Sequence, residues 1–366
     1  MICVVAAILA VGRVSFAAVD EPLTAKDAVR LMAPGINLGN TLEAIPKETS
    51  WGNPEPTEAF FKGVRAAGFK SVRIPVSWTQ YSDGENNIQP TWMRHVTDVT
   101  RMALDADLYV MINIHWDGGW LQPTPQKQEA ATQKLRKFWR QIATNFRDFD
   151  HRVMFAGTNE TGVEGQYGMP APENAAIQNR FNEAFVGTVR STGGRNSDRY
   201  LVVQTYATDI DAGLKYNQTL PADSVKDRLM IEVHYYSPYN FVLNDKSDVW
   251  QWGKSATDPK ATDTWGNEDY VDAQFAKVQA AFVDRGIPVI LGEYSAGMKS
   301  RFPGMDKYRR LWDEYVTSSA VRHSMVPMLW DVGSIINRET GAPIDVDLIR
   351  RINLAVKSAS SGTGSD

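Results

Sequence analysis

The 366 residues balance 39 Lys and Arg against 43 Asp and Glu, a net charge of −4 with no basic block, which argues against nucleic acid as a partner. An apolar fraction of 43% is ample for one large core, and beyond the N-terminus no run of about eighteen apolar residues survives to span a membrane. The single cysteine, Cys3, excludes a disulfide framework, a thiol nucleophile and a Cys-based metal site.

In chain order, Ile2 to Val11 is a short apolar stretch, and Ser15-Phe16-Ala17 before Ala18 supplies the small residues of a cleavage site. Residues 1–17 therefore read as a signal peptide, although no Lys or Arg precedes the apolar run, and a secreted protein with no membrane attachment after signal removal is expected. Residues 18–357 form the folded body, and 358–366 read as a flexible Ser/Gly-rich tail. Within the body, strand patterns fall at 35–40, 69–78, 108–116, 152–160, 200–206, 229–237, 288–295 and 326–332. Amphipathic helical patterns separate them at 55–67, 91–105, 126–146, 173–190, 269–285 and 305–322, with a last helix over 345–357. Only 208–220, after the fifth strand, is a poor helix. Strands that each precede a helix, with no repeat and no internal linker, predict an α/β fold in one domain, a (β/α)8 TIM barrel. A doubly wound open sheet is the runner-up, but no Gly-x-Gly-x-x-Gly turn follows the first strand.

A barrel of this kind carries its chemistry at the C-terminal ends of its strands. Polar residues gather there: Arg73, the run Asn113-Ile114-His115-Trp116-Asp117, Asn159-Glu160, His234-Tyr235-Tyr236, Glu293 and Trp330-Asp331. Glu160 and Glu293 each close a short apolar strand. Two carboxylates brought to one rim by separate strands are what glycoside hydrolysis requires. The connection after the sixth strand is long, from Ser237 to about Asn267, and holds Tyr239, Phe241, Trp250, Trp252 and Trp265 among polar residues. Long loops of this type serve as lids or binding walls, and indole faces suit the apolar faces of sugar rings. Trp51, Trp78, Trp116 and Trp120 fall at or just past other strand tips.

These pieces together resemble glycoside hydrolase family 5. The resemblance rests on Gly35-Ile36-Asn37-Leu38-Gly39-Asn40-Thr41-Leu42-Glu43, Trp51-Gly52-Asn53-Pro54, Val72-Arg73-Ile74-Pro75-Val76-Ser77-Trp78, Asn159-Glu160, Val233-His234-Tyr235-Tyr236-Ser237-Pro238-Tyr239, Gly292-Glu293-Tyr294 and Leu329-Trp330-Asp331. Ser-Pro-Tyr after the His-x-Tyr, with a Trp-rich loop beyond it, is most similar to subfamily 4. The resemblance implies a retaining, endo-acting hydrolase of β-1,4-glucan with no cofactor and no metal, working as a monomer. Glu160 is implied as acid/base and Glu293 as nucleophile, with Arg73, His115, Asn159, His234, Tyr236 and Trp330 supporting them. Asn40, Trp51, Trp116, Trp120, Trp250, Trp252 and Trp265 are weaker candidates for binding the glucan. The family has Pro after Asn-Glu where this chain has Thr161, a change expected to loosen that loop. On this reading Glu293 is kept ionised by Arg73 and Tyr236, while Glu160 carries a proton through a raised pKa.

Three alternatives compete. The same mechanism can act on xyloglucan, mixed-linkage glucan or mannan. Glu160, Glu293, His115 and His234 can ligate a divalent metal, against which stand the lack of paired ligands on one element and the Arg among them. A non-catalytic glycan-binding barrel is the third, and it ordinarily lacks one of the two carboxylates.

Overall fold

The computed structural model describes residues 23–362. Eight parallel strands close into a barrel in sequence order: β1 (Gly35–Leu38), β2 (Ser71–Ile74), β3 (Tyr109–Asn113), β4 (Val153–Ala156), β5 (Leu201–Gln204), β6 (Leu229–His234), β7 (Val289–Tyr294) and β8 (Met325–Asp331). Closure comes from β1 against β8, with Gly35 opposite Met328 and Leu38 opposite Asp331. The helices are α1 (Ala25–Val29), α2 (Glu58–Ala66), α3 (Pro90–Asp105), α4 (Gln128–Asn145), α5 (Pro172–Ser191), α6 (Ile210–Tyr216), α7 (Tyr239–Val242), α8 (Glu268–Ala281), α9 (Met305–Arg322) and α10 (Val346–Gly362). No helix among the described residues is long and apolar enough to cross a membrane. The segment read as a signal peptide lies outside the described residues.

Local chemistry explains where several helices begin. The Thr57 hydroxyl accepts the Phe60 N–H at the start of α2, and Asp209 accepts the Ala212 N–H at 2.7 Å to start α6. That cap lets a short helix form in the stretch whose pattern was poor. At the other end, Ala355 and Ala359 are buried four residues apart, so α10 continues past the expected end at 357. The flexible tail expected from 358 therefore does not start there, and 363–366 lie outside the described residues.

Strand residues alternate between two faces. The outward set, including Ile36, Val72, Val110, Ile112, Phe155, Val203, Val233 and Leu291, packs under the helices in the main core. The inward set splits by height. Its lower layer is Met111, Met154, Val202, Met230, Ile290, Val326 and Met328, closed from below by Ala25, Ala28 and Val29 of α1. Its upper layer is polar: Asn37, Arg73, Asn113, Gln204 and Glu232, all fully buried. Observed strands are shorter than their apolar patterns because pairing stops before the patterned residues do. Residues 158–160, for example, have left the β4 ladder, whose last bond is the Gly157 N–H on the Val202 carbonyl at 3.0 Å.

Candidate active site

Glu160 reaches the barrel mouth by a turn rather than on a strand. A Cβ at Gly157 would lie 2.5 Å from the Phe185 ring, so glycine lets the chain leave β4 against α5. Glu160 then adopts φ 44°, a left-handed conformation that costs a non-glycine residue of order 1–3 kcal/mol. The turn leaves its side chain 47% exposed above the polar layer. Thr161 does not loosen this loop. It is buried, its carbonyl accepts the Ala207 N–H at 3.0 Å, and the next turn is held by Tyr206 Oη on the Val163 N–H at 2.8 Å.

Glu293 comes up on β7, where the ladder with β8 changes register between Leu291 and Tyr294 and the pairing with β6 shifts at His234. Such irregularities re-aim side chains. Arg73 Nη1 donates to Glu293 Oε1 at 2.7 Å, and Tyr236 Oη donates to Glu293 Oε2 at 3.0 Å. Arg73 also donates to Asn37 Oδ1 at 3.0 Å and to Asn159 Oδ1 at 2.5 Å. With its oxygen committed, Asn159 offers its amide N–H groups to the cleft. His234 bridges the two glutamates: Nδ1 lies 2.8 Å from Glu160 Oε1 and 3.7 Å from Glu293 Oε2. One carboxylate oxygen each from Glu160 and Glu293 and a ring nitrogen of His234 all lie within 4.8 Å of one another.

Desolvation is the largest single influence on both carboxyls and pushes both up, on Glu293 because it is buried and on half-exposed Glu160 because the walls of the barrel mouth displace water around it. On Glu160 the hydrogen bond and charge of His234, with Arg73 behind them, win and hold it below the ordinary carboxylate range. On Glu293 burial, with Glu160 and Glu232 adding to it, outweighs His234 and Arg73 and leaves it above that range. This reverses the order expected from sequence. In the free site the proton is on the His234 side of the Glu160 pair: burial opposes the imidazolium, but Glu293, Glu160 and Glu232 lift His234 to about 9. His115 is driven the other way, well below its ordinary value, by burial and by Arg73 and His234. It is neutral, and its tautomer follows from Asn113. Asn113 Oδ1 accepts the Val76 N–H at 3.1 Å, so Asn113 Nδ2 donates to His115 Nδ1 at 3.2 Å and the ring proton is on Nε2.

The floor is Trp330, stacked on His115 at 5.7 Å and 14°. A Cβ at Gly39 would come within 2.9 Å of the indole, so glycine there is what lets Trp330 lie flat. Two hollows meet at Glu160. One, about 380 Å³, is lined by His115, Trp116, Trp120, Asn159, Glu160 and Tyr167 among others; the second, about 200 Å³, by Glu160, Asp209, His234, Tyr236 and Tyr270 among others. A larger hollow of about 710 Å³ lies at the opposite end of the barrel, by Ile287 and Met325, and contains none of these groups.

The weaker binding candidates separate. Trp51, Trp116 and Trp265 are 44%, 52% and 46% exposed, and Trp265 packs edge-on against Tyr270 beside the second hollow. Trp120 lines the first hollow, and Asn40 holds a left-handed turn at φ 55° with its side chain half-buried. Trp250 is stacked on Phe302 at 5.7 Å, and Trp252 is buried with its N–H on the Gly266 carbonyl at 2.7 Å. Trp252 is therefore packing of the long loop, not a sugar platform; Trp78, also buried, is likewise core. Sequence reasoning missed Glu232, Asn37 and Gln204, which support the cluster from beneath. Their signal was present, as polar residues at inward positions of otherwise apolar strands. It also missed Tyr167, 96% exposed on the rim of the first hollow.

A metal is a poor fit to the Glu160, His234 and Glu293 triad. Both ring nitrogens of His234 face carboxylates as donors, and the Arg73 guanidinium occupies the flank of Glu293.

Residues 37–334 match the cellulase model, glycosyl hydrolase family 5. The chain belongs to that family. It is 40% identical over 344 residues to a xyloglucan-specific endo-β-1,4-glucanase of Bacteroides ovatus, covering 88% of this chain and 68% of that one. Endoglucanase A of Paenibacillus barcinonensis is 38% identical over 333 residues, 85% of this chain and 83% of its own. A GH5-4 broad-specificity endoglucanase from Bacteroides salanitronis superposes with a TM-score of 0.85 at 34% identity, covering 93% and 96% of the two chains. This family 5 member is an endo-β-1,4-glucanase.

Proposed function

We propose that Glu293 is the nucleophile and Glu160 the acid/base in a retaining double displacement on β-1,4-glucan chains. The observation that carries this is the spacing of the two carboxylates, with oxygens within 4.8 Å across His234 at the C-terminal mouth of the barrel. Retaining enzymes hold their carboxyl groups about 5–5.5 Å apart, and inverting ones leave room for a water between them. In the first step Glu293 attacks the anomeric carbon, the glycosidic C–O bond breaks, and the leaving oxygen takes a proton from Glu160. Arg73 and Tyr236 hold both oxygens of Glu293 in line for this attack. The glycosyl ester removes the negative charge of Glu293, and Glu160, now ionised, takes a proton from the water that attacks the same carbon. Asn159 and His115, each with an N–H free, bind sugar hydroxyls near the cleavage point, and Trp330 carries the ring.

A second reading concerns the polymer. The Bacteroides ovatus relative is xyloglucan-specific, and the hollows on either side of Glu160 give room beside the backbone for branch sugars. A polysaccharide of either kind lies outside the cell, which supports export by residues 1–17.

Reducing-sugar release by the native protein, Glu160→Ala and Glu293→Ala on carboxymethylcellulose, xyloglucan, lichenan and mannan, with and without EDTA, tests the reading. Both variants should lose activity on every substrate, EDTA should change nothing, and the first product should carry the β-anomeric proton by NMR. Activity that survives in Glu293→Ala, or is abolished by EDTA, sinks the two-carboxylate mechanism. The substrate ranking decides the polymer.

A further inference from the structure

Glu232 is a buried carboxylate for which the double displacement has no use. It sits on β6 two residues before His234, with no exposed surface. Its Oε1 lies 3.0 Å from Arg73 Nε and 3.1 Å from His234 Nε2, and its Oε2 accepts Gln204 Nε2 at 2.6 Å. Gln204 is fixed in turn, since its Oε1 accepts the Thr158 hydroxyl at 3.0 Å and Thr158 accepts Gln178 Nε2 at 3.2 Å. Gly292 makes the space, because a Cβ there would lie 1.9 Å from Glu232 Oε1. Burying an unpaired carboxylate is costly, and so elaborate an accommodation for one calls for a task.

The task follows from counting protons on His234. A neutral imidazole has one N–H and an imidazolium has two. His234 faces a carboxylate at each nitrogen, Glu160 at Nδ1 and Glu232 at Nε2. While both are ionised, only the imidazolium can donate to both. The other charged groups around the ring are Glu293 on β7 and Arg73 on β2; His115, after β3, and Tyr236, after β6, are neutral.

Resting on the assignment of Glu160 as acid, we propose that Glu232 is a positioning residue that keeps His234 doubly protonated, so that a proton waits at Nδ1 beside Glu160. When a sugar covers Glu160 and excludes water, the ion pair becomes less favourable than the neutral pair. The Nδ1–H bond breaks, an O–H bond forms on Glu160, and the two charges cancel; His234 keeps its Nε2–H on Glu232. Glu160 gives this proton to the leaving oxygen, receives one from water in the second step, and returns it to Nδ1. Burial alone would deprive Glu232 of its charge, but Arg73, His234 and Gln204 hold its carboxyl below the ordinary range.

Glu232→Gln keeps an acceptor at Nε2 and withdraws the charge. In this variant the alkaline limb of kcat/KM should move down by about one pH unit or more. For phenyl β-cellobioside, whose leaving group needs a proton, kcat should fall on the order of tenfold. For 2,4-dinitrophenyl β-cellobioside, which needs none, it should change less than about threefold, with KM similarly steady. Glu160→Ala run alongside separates the two assignments: without the same leaving-group dependence, it is Glu160 as acid that fails. If Glu160→Ala shows the dependence and Glu232→Gln leaves the alkaline limb where it was, Glu232 has no such role. Should Glu232→Gln not fold, NMR titration of the His234 ring in the native protein decides. Signals titrating near 9 support the proposal, and signals titrating near the ordinary value of 6.5 overturn it.

Discussion

At the lower end of the barrel interior, Met111, Met154, Met230 and Met328 meet in an apolar layer closed by α1. One pleat higher on those strands or their neighbours stand Asn37, Arg73, Asn113, Gln204 and Glu232, equally buried. The lower layer is held by area removed from water, and flexible methionines fill its irregular space. The upper layer gains little from area, because each charge it buries must be matched by another. Burial depth is the same, and what differs is the kind of damage a substitution does. A change below should cost stability and spare chemistry; a change above should cost chemistry, stability or both.

The largest expected effect is at the top. Glu293→Gln keeps the shape and removes the attacking charge, and kcat on a β-1,4-glucan should drop by roughly 10⁴-fold or more with Tm little changed. Steady-state kinetics with thermal unfolding on one preparation checks both halves. Next comes the pair that sets the two layers against each other. Arg73→Met strands Glu232 and Glu293 without their shared cation and should cost about 3–5 kcal/mol as well as activity. Met230→Ala opens a cavity in the lower layer and should cost roughly 2–5 kcal/mol while kcat and KM stay within a factor of about two. If Met230→Ala lost activity in proportion to stability, the division of labour between layers would be wrong.

Much of this was legible in the sequence because the barrel's demands are periodic. Alternating strand and helix patterns specify the barrel, and polar residues at strand ends mark the working face. Glu160 and Glu293 stand out because each terminates an apolar run. Glu232 and Asn37 do not, since a polar residue inside a strand looks like an interruption until closure brings Arg73 within reach of both. Protonation states were less legible still. Proximity of Arg73 and Tyr236 to Glu293 was foreseen, but the desolvation that pushes Glu293 up and the His234 bond that holds Glu160 down depend on packing depth and on a 2.8 Å contact. The indoles failed for a related reason. Trp116 and Trp252 carry the same letter in similar polar company, and only the fold buries one and exposes the other.

A smaller effect lies in the pH dependence of stability. His234 is lifted from 6.5 to about 9, so its contribution is full below pH 6.5 and is lost as pH rises through 9. Glu160 and Glu232 are held below 4.5, so their contributions are present above that pH and are lost as it falls. Burial raises Glu43 and Asp313 to about 7, and what they contribute is present at low pH and lost as pH climbs through 7. Since Glu43, Asp313 and the raised Glu293 already lose their contribution above the ordinary carboxylate range, Tm should peak near pH 4.5 and decline toward pH 9. Glu43→Gln should flatten the part of the decline between about pH 4.5 and 7. A Tm that still rises between pH 6.5 and 9 would contradict the charge assignment of the upper layer.

The smallest effect tests the rim, where neither layer's rule applies. Trp116 is 52% exposed beside Glu160 and touches too little protein to hold the fold. If stacking on a sugar is worth what an aromatic pair gains beyond its area, roughly 0.5–1.5 kcal/mol, Trp116→Ala should raise KM on a polymer about two- to tenfold with kcat and Tm unchanged. Trp252→Ala should do the opposite, lowering Tm and leaving KM alone, because its indole is enclosed and bonded to the Gly266 carbonyl. The two substitutions delete the same atoms. A shared phenotype would mean that the long loop rearranges when glucan binds. Opposite phenotypes would establish that exposure at the cleft, and not the presence of an indole, is what makes a tryptophan here a sugar platform.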